Sequence, residues 1–544
     1  MKLHSICAPW LMVLVVSVLG LGNTWAASPQ PPNIVLVLVD DMGFSDLGCY
    51  GSEIETPNID ALATNGLRFT QFYNSGRCCP TRASLMTGLH PHQVGIGHMT
   101  APPNQPYEGP PAYQGHLNET CTTIPEVLRG DGYHTFMTGK WHLGHADKGD
   151  WPMQRGFDRF YGGISGAFNY FKPGGDRGMT DGNQDVTTED DFYATDAFTE
   201  IASDYIKEAT SKDDKPFFLY LAYNSPHWPL NAKVKDFEKY RGKYRGGWDA
   251  VMAARQQKQR ELGLFESDVE AAPHVGPDWA SLTDKQRDDL DAIMAAYAGC
   301  IDNIDQNIGK LVTHLKSIGQ YDNTLILFLS DNGACQEGGK LGFGSEDMVR
   351  NPPLETTNGV RLGLAWANAC NTPFRLYKHF LHEGGANTPF IAHWPAGIPQ
   401  SRHNTFVRQP AYLPDVMATC VELAAATMPD DVPPCEGVSF ASVLTGGEEI
   451  ASQPIHAQPM FFEHEGNAMM RAGDWKLVRE YKKPWELYNL SEDRTELNDL
   501  STAQSQRRDR MIAAWEDWAT KTEVMFPERF NMYQHLKEQK KKKK

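Results

Sequence analysis

The feature that most constrains the fold is a continuous apolar run, Asn33 to Val39, near the N-terminus. Its β-branched and leucine side chains do not alternate with polar ones, a pattern typical of a parallel strand covered on both faces. The run ends at Asp40 and Asp41, at the edge where open α/β sheets bind ligands. Because adjacent buried carboxylates are costly alone, we expect positive partners beside them.

Further apolar runs alternate with helical patterns, which predicts a mixed, mostly parallel sheet flanked by helices. The predicted strands are 67–73, 133–138, 216–223, 324–329 and 389–393, and the predicted helices are 56–65, 123–129, 283–318 and 410–425. Residues 231–290 are polar and helical in pattern and are predicted to form a surface insertion over the site. Residues 334–371 are rich in Gly and Asn, which predicts a long loop region.

The chain of 544 residues is longer than one core usually supports, so a large and a smaller domain are expected. The predicted divisions are a signal peptide (1–27), a catalytic domain (28–450), a small C-terminal subdomain with an antiparallel sheet (451–525) and a basic tail (526–544). Lys2, the apolar stretch 10–22 and small residues near Ala27 predict export to the periplasm or the extracellular space without a membrane span. The alternative is a retained N-terminal anchor.

The net charge of -17 argues against a nucleic-acid partner, because phosphates require a basic surface. A local basic pocket for a small anion remains compatible with it. Ten cysteines include one within the predicted signal peptide, and Cys420 with Cys435 is the best candidate disulfide on proximity alone.

The segment 78–88 reads Cys-Cys-Pro-Thr-Arg-Ala-Ser-Leu-Met-Thr-Gly and places a cysteine at the start of a predicted helix. Backbone N–H groups there, together with Arg82, favour an anion, which indicates an activated thiol. The adjacent pair Cys78 and Cys79 is equally compatible with structural disulfides in an exported protein. The residue pattern alone leaves both interpretations open.

Polar residues follow four of the predicted strands: Asp40 and Asp41, Lys140 to His142, His227, and Asp331 with Asn332. The ends of several parallel strands can meet in one crevice. The oxygen donors among these residues favour a hard cation, Ca²⁺ before Mg²⁺, over Zn²⁺. Asp331-Asn332-Gly333 is by itself also a turn signal.

Three motifs together resemble those of the type I sulfatases, in particular bacterial arylsulfatases. They are Cys78-x-Pro80-x-Arg82 with Leu85, Thr87 and Gly88; the stretch Gly132 to His142; and Asn371 to Lys378 followed by Glu383-Gly384-Gly385. Thr81 and Thr138 are mild departures from the family pattern. The resemblance covers about residues 32–520 and implies an alkaline-phosphatase-like fold.

The resemblance implies that a maturase oxidises Cys78 to formylglycine, whose hydrate is the nucleophile. The implied metal ligands are Asp40, Asp41, Cys78, Asp331 and Asn332. The implied catalytic residues are Cys78, Arg82, Lys140, His142, His227, Asp331 and Lys378, of which Lys140, His227 and Lys378 also bind substrate.

Individual roles also follow from the resemblance. Arg82 holds the hydrate, and Asp331 helps to deprotonate it. His227, with Lys378, gives a proton to the leaving alcohol, and His142 takes the proton from the remaining hydroxyl. His90, His92 and His134 are assigned to packing or hydrogen bonding instead.

The implied activity is hydrolysis of sulfate monoesters of aryl alcohols or carbohydrates. One alternative is a phosphoesterase or phosphonate hydrolase on the same scaffold, because phosphate and sulfate esters share a shape. Another is a non-catalytic protein that binds sulfated glycans. Aromatic side chains that could stack on the alcohol or sugar, or could equally belong to the core, are Trp228, Trp248, Trp279, Phe343 and Trp366.

Overall fold

The structure, a computed structural model, describes residues 30–101, 109–265, 269–351 and 359–529. The strands are β1 (Asn33–Val39), β2 (Leu67–Tyr73), β3 (His134–Lys140), β4 (Arg159–Gly163), β5 (Met179–Asp181), β6 (Gln184–Val186), β7 (Phe217–Ala222), β8 (Thr324–Ser330), β9 (Asn387–His393), β10 (Thr405–Val407), β11 (Ala411–Tyr412), β12 (Met460–His464), β13 (Asn467–Ala472), β14 (Trp475–Arg479) and β15 (Glu486–Asn489). The helices are α1 (Pro57–Thr64), α2 (Cys78–Thr87), α3 (Ile124–Gly130), α4 (Ala194–Lys212), α5 (Val234–Tyr240), α6 (Gly247–Leu262), α7 (Asp284–Ser317), α8 (Glu346–Arg350), α9 (Leu364–Cys370), α10 (Glu383–Ala386), α11 (Leu413–Leu423), α12 (Ala441–Thr445), α13 (Glu448–Ala451) and α14 (Ser505–Lys521).

The large sheet has the order β10-β2-β9-β8-β1-β7-β3-β4-β5-β6, with β11 also paired to β2. β1 lies between β7 and β8 and is parallel to both. β9 runs antiparallel to its neighbours β8 and β2, so the sheet is mixed but mostly parallel around its centre. The predicted fold class is therefore confirmed.

The apolar run of β1 is buried on both faces, as its pattern predicts. Val35, Val37 and Val39 pack into one core, with α4 and α7. The alternate residues of the strand pack into a second core on the opposite face, with α2, α3 and α11. Helix α7 begins at a capping box in which Thr283 and Gln286 satisfy each other's backbone N–H groups.

The predicted second sheet is also confirmed: β12-β13-β14-β15 form an antiparallel meander on which α14 packs through Trp515. A buried ionic cluster joins this sheet to α10. Lys476 Nζ lies 2.8 Å from a carboxylate oxygen of both Glu383 and Glu496, and Arg494 lies 3.1 Å from Glu383.

Three predictions about particular segments are wrong, at least in part. The region 231–290 is not a surface insertion, because Phe237, Tyr240 and Trp248 are fully buried in the main core. The region 334–371 is not all loop, because it contains α8 and α9. Cys420 and Cys435 are free thiols rather than a disulfide.

The predicted signal peptide and nearly all of the basic tail lie outside the described residues. Among the helices that the structure describes, none combines the length and the apolar character that a membrane crossing needs.

Candidate active site

The carboxyl ends of β1, β7, β8 and β3 meet at one edge of the large sheet. Backbone hydrogen bonds tie the loops together there: Asp331 N donates to Val39 O at 3.0 Å, and Asp40 N donates to Ser225 O at 3.2 Å. Asp41 N donates to a carboxylate oxygen of Asp331 at 3.1 Å. Parallel register thus brings together segments that are about 290 residues apart in the chain.

The positive partners expected beside the acidic pair are present. Lys140 Nζ lies 2.5 Å from Asp40 Oδ2, and Lys378 Nζ lies 2.6 Å from Asp41 Oδ1. Arg82 donates to Asp331 Oδ2 at 2.9 Å and, through its other terminal nitrogen, to the backbone carbonyl of Lys140 at 2.9 Å. These side chains are almost completely buried, so the ion pairs lie in a low-dielectric environment.

Three oxygens at this edge have no hydrogen-bond partner among the described residues: Asp40 Oδ1, Asp41 Oδ2 and Asn332 Oδ1. Asn332 donates through its amide nitrogen to Asp41 Oδ1 at 2.7 Å, which leaves its carbonyl oxygen as an unused acceptor. Buried acceptors are normally satisfied. Carboxylate and amide oxygens suit Ca²⁺ or Mg²⁺, so these residues fit the predicted hard cation.

The nearby charges set the pKa values of the aspartates. Burial alone raises the pKa of Asp41, but His227 and Lys378 outweigh it and lower that pKa to about 2. Burial, together with the neighbouring Asp40, raises the pKa of Asp331 well above its usual value. Of these two aspartates, Asp331 is therefore the one disposed to accept a proton.

Cys78 begins α2 and lies beside Cys79 and His142, with one possible ligand atom from each of the three within 4.8 Å of the others. The hydrogen bond from Cys79 lowers the pKa of Cys78 well below its usual value, and Lys140 and His142 contribute further. Burial instead raises the pKa of Cys79. Both residues are free thiols, so the interpretation of Cys78 and Cys79 as structural disulfide partners is wrong.

Two histidines line the same cleft as Cys78. His227 Nδ1 lies 2.7 Å from the carbonyl oxygen of Trp228, so it carries a proton, and Nε2 lies 3.4 Å from Asp41 Oδ2. Burial lowers the pKa of both His142 and His227 to about 4. Both rings are therefore neutral at pH 7 before a substrate binds.

The cleft has a cavity volume of about 320 Å³. It includes Cys78, His142, His227 and Lys378, together with residues that sequence reasoning missed: Arg77, Met99, His145, Arg177 and Glu337. Arg77 and Glu337 form an ion pair at 2.9 Å. Their positions, directly before Cys78 and five residues after Asn332, are the signal that could have identified them.

Of the candidate stacking residues, Trp228 lines the cleft. Trp248 and Trp366 are fully buried and pack against Trp279, so these rings belong to the core. Phe343 is 45% exposed but is not among the lining residues of the cleft.

The three histidines assigned to packing or hydrogen bonding make such contacts in the structure. His92 pairs with Glu463 at 2.8 Å, and His134 pairs with Asp213 at 2.9 Å. His90 packs edge-on against Trp518.

Comparisons with known proteins agree with this geometry. Residues 32–426 match the family model described as Sulfatase, and residues 374–515 match the C-terminal model of N-sulphoglucosamine sulphohydrolase. An arylsulfatase of Klebsiella aerogenes is 32% identical over 79% of this chain and 96% of its own length. An uncharacterized sulfatase of Schizosaccharomyces pombe is 32% identical over 92% of this chain and 95% of its own length.

Among solved structures, Ps i-CgsB in complex with k-i-k-neocarrahexaose superposes with a TM-score of 0.69 and 26% identity. That match covers 93% of this chain and 97% of the other.

Proposed function

This chain belongs to the sulfatase family, and on that premise we propose that it hydrolyses sulfate monoesters through a formylglycine made from Cys78. Its membership and its named relatives make it a sulfuric ester hydrolase. One observation carries the proposal: Arg82, Lys140 and Lys378 converge on one buried edge beside the cleft that contains Cys78. Such preorganised cations stabilise the charge that develops on the oxygens of a transferred sulfuryl group.

We propose Ca²⁺ as the resident ion, held by Asp40, Asp41, Asp331 and Asn332 together with residue 78. The unsatisfied oxygens at this edge support it. When bound, the ion supplies a further positive charge for the sulfate oxygens. Ca²⁺ is preferred to Mg²⁺ because it accepts more protein ligands and a less regular geometry.

The protein's own residues then have distinct tasks. Lys140 and Lys378 bind the sulfate oxygens, and Arg82 holds residue 78 and Asp331 in place. Asp331, whose pKa is raised by burial, accepts a proton from the nucleophilic hydroxyl. Once the sulfate ester is bound, His227 takes up a second proton at Nε2, beside Asp41, and gives that proton to the leaving oxygen. His142, beside residue 78, accepts the proton whose loss releases sulfate.

The space around the cleft favours a sulfated carbohydrate. The cleft shares His145 with a neighbouring cavity of about 500 Å³, lined by Lys148, Trp151, Asp176 and Asp185. Together the two cavities provide room for more than one ring, and their mixed polar and aromatic lining suits sugar hydroxyls. We propose export as well, supported by the charged start and apolar run at the N-terminus.

The test is peptide mass analysis followed by a substrate panel. In protein from its own host, or from a host with a maturase, we expect the peptide with Cys78 to be about 18 Da lighter than the thiol form. That protein should release sulfate from 4-nitrophenyl sulfate and from sulfated oligosaccharides, whereas Cys78→Ala should not. Faster turnover of 4-nitrophenyl phosphate or a phosphonate ester would favour the phosphoesterase alternative. An unmodified Cys78 without sulfate release would reject the proposal.

A further inference from the structure

Three histidines surround Glu465, which lies in the turn between β12 and β13. His98 Nε2 lies 2.9 Å from Glu465 Oε1, His379 Nδ1 lies 3.3 Å from Oε2, and His464 Nε2 lies 3.9 Å from Oε1. One ligand atom from each of His379, His464 and Glu465 lies within 4.8 Å of the other two. Atoms bound to one Zn²⁺ at about 2.1 Å are roughly 3.4 Å apart in a tetrahedron, so small side-chain shifts would close this cluster around an ion.

His464 provides an independent indication of a ligand. Its side chain is fully buried, and neither ring nitrogen has a hydrogen-bond partner among the described residues. A neutral imidazole offers one donor and one acceptor, and buried ones are normally satisfied.

The surroundings also suit a metal ligand set. Glu465 supplies a carboxylate, the anionic ligand among these donors. Arg77 is the neighbouring cation, and its charge is offset by its ion pair with Glu337.

We propose that His379, His464 and Glu465, with His98 as the fourth donor, form a second metal site selective for Zn²⁺. Imidazole nitrogens and one carboxylate are a zinc donor set, whereas Ca²⁺ requires oxygens. Glu465 and His379 are both partly exposed, so an ion can enter from solvent. Its ligands are different residues from those of the proposed oxygen-rich site.

The placement of the cluster gives the ion a structural task. His379 follows Lys378, and its backbone N–H donates to Gly76 O at 2.7 Å, two residues before Cys78. His98 precedes Met99, which lines the cleft. A bound Zn²⁺ would therefore fasten the β12–β13 hairpin to the segments that carry Lys378 and Cys78.

The experiment measures Zn²⁺ binding to the full chain by equilibrium dialysis, after chelator treatment and return of excess Ca²⁺. All variants carry Cys78→Ser, because Cys78, Cys79 and His142 could otherwise bind zinc themselves. We expect one Zn²⁺ per chain, and at least about tenfold weaker binding in His464→Ala and in Glu465→Gln. Co²⁺ in place of zinc should give the intense visible absorption of a four-coordinate site.

His134→Ala is the matched control, because His134 also pairs with a carboxylate but lies at the opposite end of β3 from Lys140. It should bind Zn²⁺ like the parent. Absence of zinc from the parent, or equal binding in all variants, would overturn the proposal. If circular dichroism shows that His464→Ala does not fold, Glu465→Gln, a nearly isosteric change in a partly exposed turn, decides the question.

Discussion

The substitution Arg82→Lys tests whether the guanidinium group positions the reacting groups or only supplies a charge. Arg82 spans two acceptors with its two terminal nitrogens, the backbone carbonyl of Lys140 and Asp331 Oδ2, each at 2.9 Å. A lysine keeps the positive charge but has one nitrogen on a shorter chain. It can satisfy Asp331 or the carbonyl, but not both.

The size of the effect follows from the contact that is lost. One buried hydrogen bond to a charged group contributes about 1.5–3 kcal/mol, so the free energy of unfolding should fall by about that amount. The contact of Arg82 with the backbone carbonyl of Lys140 fixes the end of β3. The substitution should therefore also displace the side chain of Lys140, which is proposed to donate to the sulfate. Loss of one such preorganised donor lowers kcat by about 10²–10³-fold.

Arg68→Lys provides the matched control. Arg68 lies in β2, does not line the cleft and is 4% exposed. It donates to Cys49 O at 3.2 Å and to Asn404 Oδ1 at 2.6 Å. Urea unfolding should show a similar loss of stability in both variants, whereas sulfate release should fall only in Arg82→Lys. Wild-type kcat in Arg82→Lys, or an equal loss of kcat in Arg68→Lys, would refute the reasoning.

Three further outcomes are expected. Chelation should abolish sulfate release, and Ca²⁺ should restore it more fully than Mg²⁺, as followed by titration of the stripped enzyme; full activity without a divalent ion would contradict the assignment of Asp40 and Asp41. His227→Ala should lower turnover of alkyl sulfates by about 10²–10⁴-fold but affect 4-nitrophenyl sulfate less, because a good leaving group needs no proton; equal losses on both esters would remove His227 as the acid. Burial acts to raise the pKa of Glu383, but Lys476 and Arg494 outweigh it and lower that pKa to about 2 from the usual 4.5. The resulting stability is present above pH 4.5 and lost as pH falls towards 2, so Glu383→Gln should cost roughly 3 kcal/mol at pH 7 and progressively less at pH 4 and pH 3 in urea unfolding; a cost that does not change with pH would contradict this.

The central sheet could be predicted because its strands carry their own signal. The run from Asn33 to Val39 is apolar at every position after the first, and only a strand covered on both faces accommodates it. The prediction that residues 231–290 form a surface insertion was wrong because this segment lacks a clear apolar pattern. Its polar composition hides Trp248 and the buried Arg255, whose charge is matched by Asp46 and Glu53 from distant parts of the chain.

The candidate active-site residues that lie at the ends of parallel strands could be predicted from the sequence. Asp40, Asp331 and Lys140 each end or follow a parallel strand, so topology alone brings them together. Lys378 does not follow a strand, and only the resemblance of its motif indicated it. The histidine cluster around Glu465 could not be predicted, because its members come from three segments that are far apart in the chain and share no pattern.

The second sheet takes part in building the active site, although its sequence reads as a separate subdomain. The segment that carries Lys378 lies between α9 and α10 and forms no helix or strand of its own. Side-chain contacts with the second sheet hold it in place. Arg375 contacts Glu486 and the hydroxyl of Tyr488, His382 lies 3.2 Å from Glu486, and Asn467 contacts the residue after Lys378. Since these anchors flank Lys378 on both sides, the position of its ammonium group beside Asp41 depends on the folded antiparallel sheet. On the proposed role of Lys378, sulfate binding and the stability of the second sheet are coupled, and a chain that ends before β12 would lose the anchors on both sides of Lys378.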